Sequence, residues 1–233
     1  MTIRIGLVHA VAAAIGPITR AFKADWPAAT LLNLHDDTLS IDRSASADLT
    51  PGLSARIEGL ADYAVLAGVD GVLFTCSAFG PAIDRAAARL NVPVLKPNEA
   101  MFAEALKQGQ NIGMVATFAP AISTMEAEFR EAAASVRPSA TIRTVLAKGA
   151  LDALNSGDAA THDRLVAEAA AELADCDAIM LAQFSMADAA PEVERKIGRA
   201  VLTSPRAAVL ALKRAIEAGA PVREPAALAA DAC

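Results

Sequence analysis

The tetrapeptide Ile5-Gly6-Leu7-Val8 recurs as Ile112-Gly113-Met114-Val115, 107 residues further along the chain. At the same offset, residues 70–76 (DGVLFTC) align with residues 177–183 (DAIMLAQ), and a Val-Leu pair recurs later in each half. Separated segments that keep one offset are typical of an internal repeat. The sequence therefore predicts a tandem duplication.

Both halves alternate short apolar runs, typical of strands, with longer Ala-rich stretches whose apolar residues follow a helical period. In the stretch 53–66, for example, Ile57, Ala61 and Ala64 share one stripe. Alternating strands and helices form parallel sheets that are covered by helices on both faces. The sequence thus predicts an α/β fold with two similar lobes related by a pseudo-twofold axis. The predicted strands are residues 3–8, 30–34, 69–75, 93–95, 112–116, 141–146, 178–182 and 200–202.

The repeat also predicts how the chain divides between the lobes. Residues 1–97 and 206–233 are expected to form the first lobe, and residues 98–205 the second. This division assumes that the helix beginning near Arg206 returns to cover the first lobe. Ligands of parallel sheets bind beyond the carboxyl ends of the strands, so the active site is expected in the cleft between the lobes.

Composition and charge exclude several classes of protein. The 233 residues include 27 acidic and 21 basic side chains, a net charge of −6, which argues against nucleic-acid binding. Hydrophobic residues make up 54%, which excludes a disordered chain, but no apolar run reaches the roughly 18 residues of a membrane helix. The three cysteines lack CxxC or Cys/His spacing, so neither a disulfide scaffold nor a metal site is expected. The first ten residues resemble a strand more than a signal peptide, and a cytoplasmic protein is expected.

The loop after the third predicted strand reads Thr75-Cys76-Ser77-Ala78-Phe79-Gly80-Pro81. Pro81 suits the first turn of a helix, which places the loop at a helix N-terminus. Its backbone N–H groups and the hydroxyls of Thr75 and Ser77 are suited to hold a carboxylate or a developing oxyanion. The helix end is also expected to lower the pKa of Cys76, so that a thiolate acts as base or nucleophile. The alternative is that Cys76 is a small buried hydrophobic residue.

Other polar residues follow the remaining strands. Gln183 aligns with Cys76 in the repeat, and its amide either contacts a substrate or satisfies backbone groups. Ser185 lies two residues further on and is a further candidate substrate contact. His9 ends the first strand, where it either orients Cys76 and transfers a proton or is a hydrogen-bonded histidine behind the site. Thr117 ends the corresponding strand of the second half.

The other candidates have plainer interpretations. The Asp36-Asp37 pair favours a turn, and His162, at the start of a surface helix, is expected to be solvated. Neither Cys176 nor Cys233 is expected to be a catalyst. The hydroxyls of Thr203-Ser204 either line the cleft or cap a helix.

The sequence contains no GxGxxG, Walker A, HExxH or GxSxG motif, so nucleotide-binding, metallopeptidase and α/β-hydrolase functions lose support. The duplicated lobes, the Phe-Thr-Cys-Ser loop and residues 181–187 (LAQFSMA) together resemble the aspartate/glutamate racemase superfamily. That group includes hydantoin and aspartate racemases, maleate isomerase and arylmalonate decarboxylase. The resemblance implies two Rossmann-like lobes, catalysis without cofactor or metal, and a small carboxylate substrate in the cleft.

The resemblance also implies roles for individual residues. By position, Cys76 matches the first-lobe cysteine of the family. Ser77 and Ala78 match residues that hold a substrate carboxylate, and Thr117 matches a second-lobe carboxylate contact. Gln183 stands where the racemases carry their second cysteine. Since racemisation uses an acid and a base on opposite faces of the substrate, this departure removes one of the two partners.

Three functions are consistent with the sequence. The first is a cofactor-independent isomerase or racemase-like enzyme that acts next to the carboxylate of a small acid or amino-acid derivative. It would use Cys76 as thiolate base or nucleophile, with His9 or a water completing the proton transfer. The second is a decarboxylase of a substituted malonate in which Cys76 donates the proton, and the third is a non-catalytic carboxylate-binding protein. The expected partner is a small-molecule carboxylate rather than a nucleic acid or membrane, and a homo-oligomer is compatible with the sequence.

Overall fold

The computed structural model describes residues 2–219 and contains two separate four-stranded parallel sheets. Their order is β2-β1-β3-β4 in the first sheet and β6-β5-β7-β8 in the second, so each strand takes the place of its counterpart. The two-lobe α/β fold expected from the repeat is confirmed. The strands are β1 (Arg4–His9), β2 (Thr30–His35), β3 (Gly71–Phe74), β4 (Val94–Leu95), β5 (Asn111–Ala116), β6 (Thr141–Leu146), β7 (Ala178–Leu181) and β8 (Leu202–Thr203).

Helices cover both faces of each sheet. Within residues 2–219, the α-helices are α1 (Ile15–Asp25), α2 (Leu39–Ser44), α3 (Pro51–Leu66), α4 (Gly80–Arg89), α5 (Glu99–Gln108), α6 (Ile122–Val136), α7 (Ala150–Asn155), α8 (Ala159–Ala171), α9 (Ala190–Ile197) and α10 (Ser204–Glu217). Short 3-10 turns precede α4, at Ser77–Phe79, and α9, at Phe184–Ala189. Every one of these helices is too short or too polar to cross a bilayer.

Glycines in the two central strands let helices pack directly on the sheets. A Cβ atom on Gly6 of β1 would lie 2.9 Å from the Cβ atom of Ala64 in α3. A Cβ atom on Gly113 of β5 would lie 3.1 Å from that of Leu173, just after α8. Both distances are below the roughly 3.5–4.0 Å at which carbon atoms attract each other. The repeated glycine therefore permits the same close helix–sheet contact in both lobes.

Each lobe is partly covered by a helix that follows the last strand of the other lobe. α5 follows β4 but packs against β7 and β8, where Phe102 meets Phe129 of α6 edge-to-face with ring centroids 5.7 Å apart. α10 follows β8 but packs against α1 and β3, with Leu212 buried in their apolar cluster. This exchange supports the proposed second lobe, residues 98–205. The part of the division that concerns residues 220–233 lies outside the described residues.

The last strand of each sheet, β4 and β8, is shorter than predicted. β4 and β8 contain two residues each, because only those residues pair with the neighbouring strand. The third predicted strand, residues 69–75, also shortens, to β3. Its carboxyl end still leads directly into Thr75 and Cys76, which places the cysteine loop at the edge of the sheet that faces the other lobe.

Candidate active site

A cavity of about 220 Å³ lies between the two lobes, beyond the carboxyl ends of β3, β5 and β7. Its volume is below the roughly 300–1,000 Å³ of sites for drug-sized ligands, which suits a small acid. It therefore brings together residues of the two halves that lie 107 positions apart. The predicted site residues that line it are Thr75, Cys76, Ser77, Thr117, Gln183 and Ser185.

Cys76 connects β3 to the following 3-10 turn and lines the cavity. Burial raises the pKa of its thiol to about 11, although the Ala78 backbone N–H and the charge of Arg43 both oppose this shift. The expected lowering of the pKa by the helix end is therefore wrong. The cost of desolvating the thiolate exceeds the stabilisation that the turn provides. Cys76 consequently carries its proton at neutral pH.

Arg43 is a buried cation behind the cysteine loop that the sequence reasoning missed. Its Nε donates to the carbonyl of Ala78 at 3.2 Å, and its Nη1 donates to that of Ser46 at 2.8 Å. Ala78, which was expected to contact the substrate carboxylate, is buried and does not line the cavity, and its backbone N–H instead hydrogen-bonds the Cys76 sulfur. In the second lobe, the residue of α7 that corresponds to Arg43 of α2 is Leu154, so that lobe has no guanidinium at this place.

His9 lies behind Thr75 and does not line the cavity. Its fully buried ring shares hydrogen bonds with Thr75 Oγ1, 2.9 Å from Nδ1, and with Asn33 Oδ1, 3.0 Å from Nε2. Burial lowers the pKa of the ring; the bond to Asn33 opposes this and nearby His35 adds to it. The ring is therefore neutral at pH 7. Of the two roles expected for His9, this geometry matches the hydrogen-bonded histidine behind the site.

Gln183 lines the cavity from the second lobe and is anchored to Thr117. Its Oε1 accepts hydrogen bonds from the Thr117 backbone N–H at 2.8 Å and from the Thr117 hydroxyl at 3.2 Å. Its Nε2 lies 3.9 Å from the Met125 sulfur. The donors of Thr117 that were expected to hold a substrate carboxylate are therefore already bonded to an oxygen of the protein.

Two short helices complete the cavity wall, and sequence reasoning assigned neither to the site. α2 contributes Ser40 and Ser44, and α7 contributes Leu151 and Asn155. These pairs correspond at an offset of 111 residues rather than 107. None of the described residues that line the cavity is Asp, Glu, Lys, Arg or His. Cys76 is therefore the acid–base group of this wall within the described chain.

The other candidates lie away from the cavity. Asp36 accepts hydrogen bonds from Thr38 and pairs with Arg56, which confirms the predicted turn. Ser204 is the first residue of α10, and its hydroxyl donates to Asn98 Oδ1 at 2.6 Å. Within residues 2–219, no three His, Cys, Asp or Glu side chains are grouped so that they could hold a metal ion.

The expected solvation of His162 is wrong. Its ring is 1% exposed, on the inner face of α8, in line with the buried Val166 and Ala170 one and two turns later. Nδ1 meets the carboxylate of Asp163 at 2.7 Å. Its spacing of four residues from Val166 would have indicated the buried face of the helix.

A family model described as Asp/Glu/Hydantoin racemase matches residues 9–212. The chain belongs to this family. All the predicted site residues that line the cavity lie within the matched region. A sequence search of curated proteins finds no match.

Solved structures with a similar fold include two racemases and a decarboxylase. Allantoin racemase from Pseudomonas fluorescens is 18% identical, with a TM-score of 0.72 over 94% of this chain and 93% of that one. Glutamate racemase isoform RacE1 from Bacillus anthracis is 12% identical, with a TM-score of 0.73 over 95% of this chain and 84% of that one. A mutant of arylmalonate decarboxylase is 20% identical, with a TM-score of 0.61 over 95% and 96%. At these identities, the likeness shows that the family member shares their two-lobe fold.

Proposed function

We propose that this racemase-family member is a cofactor-independent enzyme that transfers a proton at the carbon next to a carboxylate, with Cys76 as the proton carrier. The observation that carries the proposal is that Cys76 and Gln183 line one interlobe cavity from opposite halves of the repeat. Family membership supports an enzyme of the isomerase or racemase type. The pairing of a thiol with an amide distinguishes this site from one with two thiols.

The cavity favours proton transfer from one side. Symmetric racemisation uses an acid and a base on opposite faces of the substrate. The Gln183 amide does not titrate, and the His9 ring lies behind Thr75 rather than in the wall. The second face therefore offers no proton carrier among the described lining residues.

The protonated thiol favours decarboxylation of a substituted malonate as the reaction. The bond between the α-carbon and one carboxylate breaks, CO₂ leaves, and the bonding electron pair stays on the α-carbon as an enolate. Cys76 then gives its proton to that carbon, and its thiolate is reprotonated by solvent. A thiolate nucleophile, as in a cis-trans isomerase, is disfavoured because burial raises the pKa of the thiol to about 11.

The cavity wall also favours a substrate with an apolar substituent. Ile41, Phe118, Leu151 and Phe184 contribute apolar surface, while Ser77 and the backbone of its loop offer donors for one carboxylate. Aspartate and glutamate carry an ammonium and two carboxylates. The ammonium needs an anionic partner when it is buried, and no described lining residue is Asp or Glu.

A substrate panel followed by proton NMR tests this proposal. The panel contains arylmalonates, hydantoins, maleate, aspartate and glutamate. We expect decarboxylation of an arylmalonate, and neither racemisation nor other turnover of aspartate or glutamate. Turnover of aspartate or glutamate, with the arylmalonates left intact, would contradict both the reaction and the substrate class.

A further inference from the structure

The amide of Gln183 is held in one orientation at the second-lobe wall. The Thr117 backbone N–H can only donate, so the amide must turn its oxygen toward Thr117 and its NH₂ group away. The Thr117 hydroxyl donates to the same oxygen. Nε2 is then directed toward the sulfur of Met125, which is a weak acceptor.

We propose that the Gln183 side chain occupies the anion position formed by the Thr117 donors of the second lobe, so that no substrate carboxylate binds there. The inference rests on the proposed function, since it takes the substrate to be a carboxylate. Gln183 Oε1 accepts the two hydrogen bonds that a carboxylate oxygen at Thr117 would require. A carboxylate brought there would meet an amide oxygen, and no described lining side chain carries a positive charge to offset its own.

The first lobe differs at the corresponding place. Ser77 lines the cavity beside Cys76, and the charge of Arg43 lies behind the loop, held by the carbonyls of Ala78 and Ser46. One carboxylate of a malonate therefore has donors and a nearby cation.

Ligand affinity tests the inference directly. Calorimetric titration compares phenylmalonate with phenylacetate, which lacks the second carboxylate. Both are measured on the Cys76→Ala background, where the proposed proton donor is absent. Without a further change, phenylmalonate should bind no more tightly than phenylacetate. Adding Gln183→Ala uncovers the Thr117 donors and should tighten phenylmalonate binding by about tenfold or more, the usual effect of a hydrogen bond to a charged group. Phenylacetate binding should change far less.

Asn155→Ala is the matched control, because it also removes an amide from the cavity wall but leaves Gln183 and Thr117 in place. It should give no gain for phenylmalonate. Hydrogen exchange of the Thr117 amide, followed by NMR, needs no ligand and should speed up in Gln183→Ala only.

A missing phenylmalonate gain in Gln183→Ala, an equal gain in Asn155→Ala, or unchanged Thr117 exchange would each overturn the inference. These measurements follow binding and amide protection rather than turnover. A failure of every panel compound to react would therefore contradict the proposed function and leave this inference to be judged by its own measurements.

Discussion

Cys76→Ala is expected to lower kcat on the panel substrate by roughly 10²–10⁴-fold, the usual contribution of a positioned acid or base. The reason is that no other described side chain of the cavity wall can carry the proton at neutral pH. Steady-state kinetics by NMR measures the loss. Cys176→Ala is the matched control, because Cys176 is buried beside β7 and outside the cavity wall, and it should keep its activity.

Gln183→Ala should reduce kcat far less than Cys76→Ala does, by about tenfold, because the Gln183 amide carries no proton and its bonds to Thr117 are worth only about 0.5–1.5 kcal/mol each. The difference between the two cavity variants measures the asymmetry of the site. If Cys76→Ala leaves turnover intact, the cysteine is structural and is not the proton carrier of this site.

A second large effect is expected at Glu128, whose carboxylate oxygens are buried where the lobes meet. Its carboxylate packs against Gly80 at the start of α4, where a Cβ atom would not fit. Both carboxylate oxygens lack a hydrogen-bond partner among the described residues. The Lys96 ammonium lies 3.9 Å away but is closer to Asp84, at 3.0 Å, and Glu99, at 3.4 Å. Glu128 is thus a buried carboxyl group that shares the Lys96 ammonium with Asp84 and Glu99.

Burial raises the pKa of Glu128 from 4.5 to about 7; Lys96 opposes the shift, and the neighbouring carboxylates add to it. The folded protein therefore binds this proton more tightly than the unfolded chain does. The resulting stability is complete below about pH 4.5 and is lost as the pH rises to about 7. At about 1.4 kcal/mol per pKa unit, the loss is about 3 kcal/mol.

Glu128→Gln should remove this pH dependence, because glutamine keeps the shape of the protonated side chain and does not titrate. Urea denaturation between pH 5 and pH 8 provides the measurement. At pH 8, we expect the variant to exceed the wild type in unfolding free energy by up to about 3 kcal/mol. Glu131→Gln, an exposed position on the same helix, should behave like the wild type. A Glu128→Gln variant that keeps the wild-type pH dependence would show that Glu128 is already ionised below pH 7.

The fold could be predicted from the sequence because the two halves keep their strands in the same order and at nearly the same spacing. The glycines at Gly6 and Gly113 mark the two central strands, and the aligned strand ends bring Cys76 and Gln183 to one cavity. These features depend on local patterns and on the rule that parallel strands end at one edge of a sheet. The helices of the cavity wall, α2 and α7, were missed because each spans six residues and their offset differs from that of the strands.

Properties that depend on burial could not be predicted from the sequence. The raised pKa of Cys76 reflects its desolvation, which only the packed structure defines. Neutral His9 and buried Arg43 lie behind the cysteine loop because of tertiary packing. The bond between Gln183 and Thr117 joins residues 66 positions apart, and neither residue type indicates it.

One-sided proton delivery from Cys76 is tested most directly by the isotope content and chirality of the product formed in D₂O. A prochiral substrate such as 2-methyl-2-phenylmalonate gives a chiral 2-phenylpropionate whose α-carbon records the face that was protonated. We predict a product with deuterium at that carbon and one enantiomer in large excess, and no exchange when the purified enantiomer is returned to the enzyme. Enzyme-dependent interconversion of the two enantiomers in D₂O would require a proton carrier on each face and would contradict a site with a single thiol.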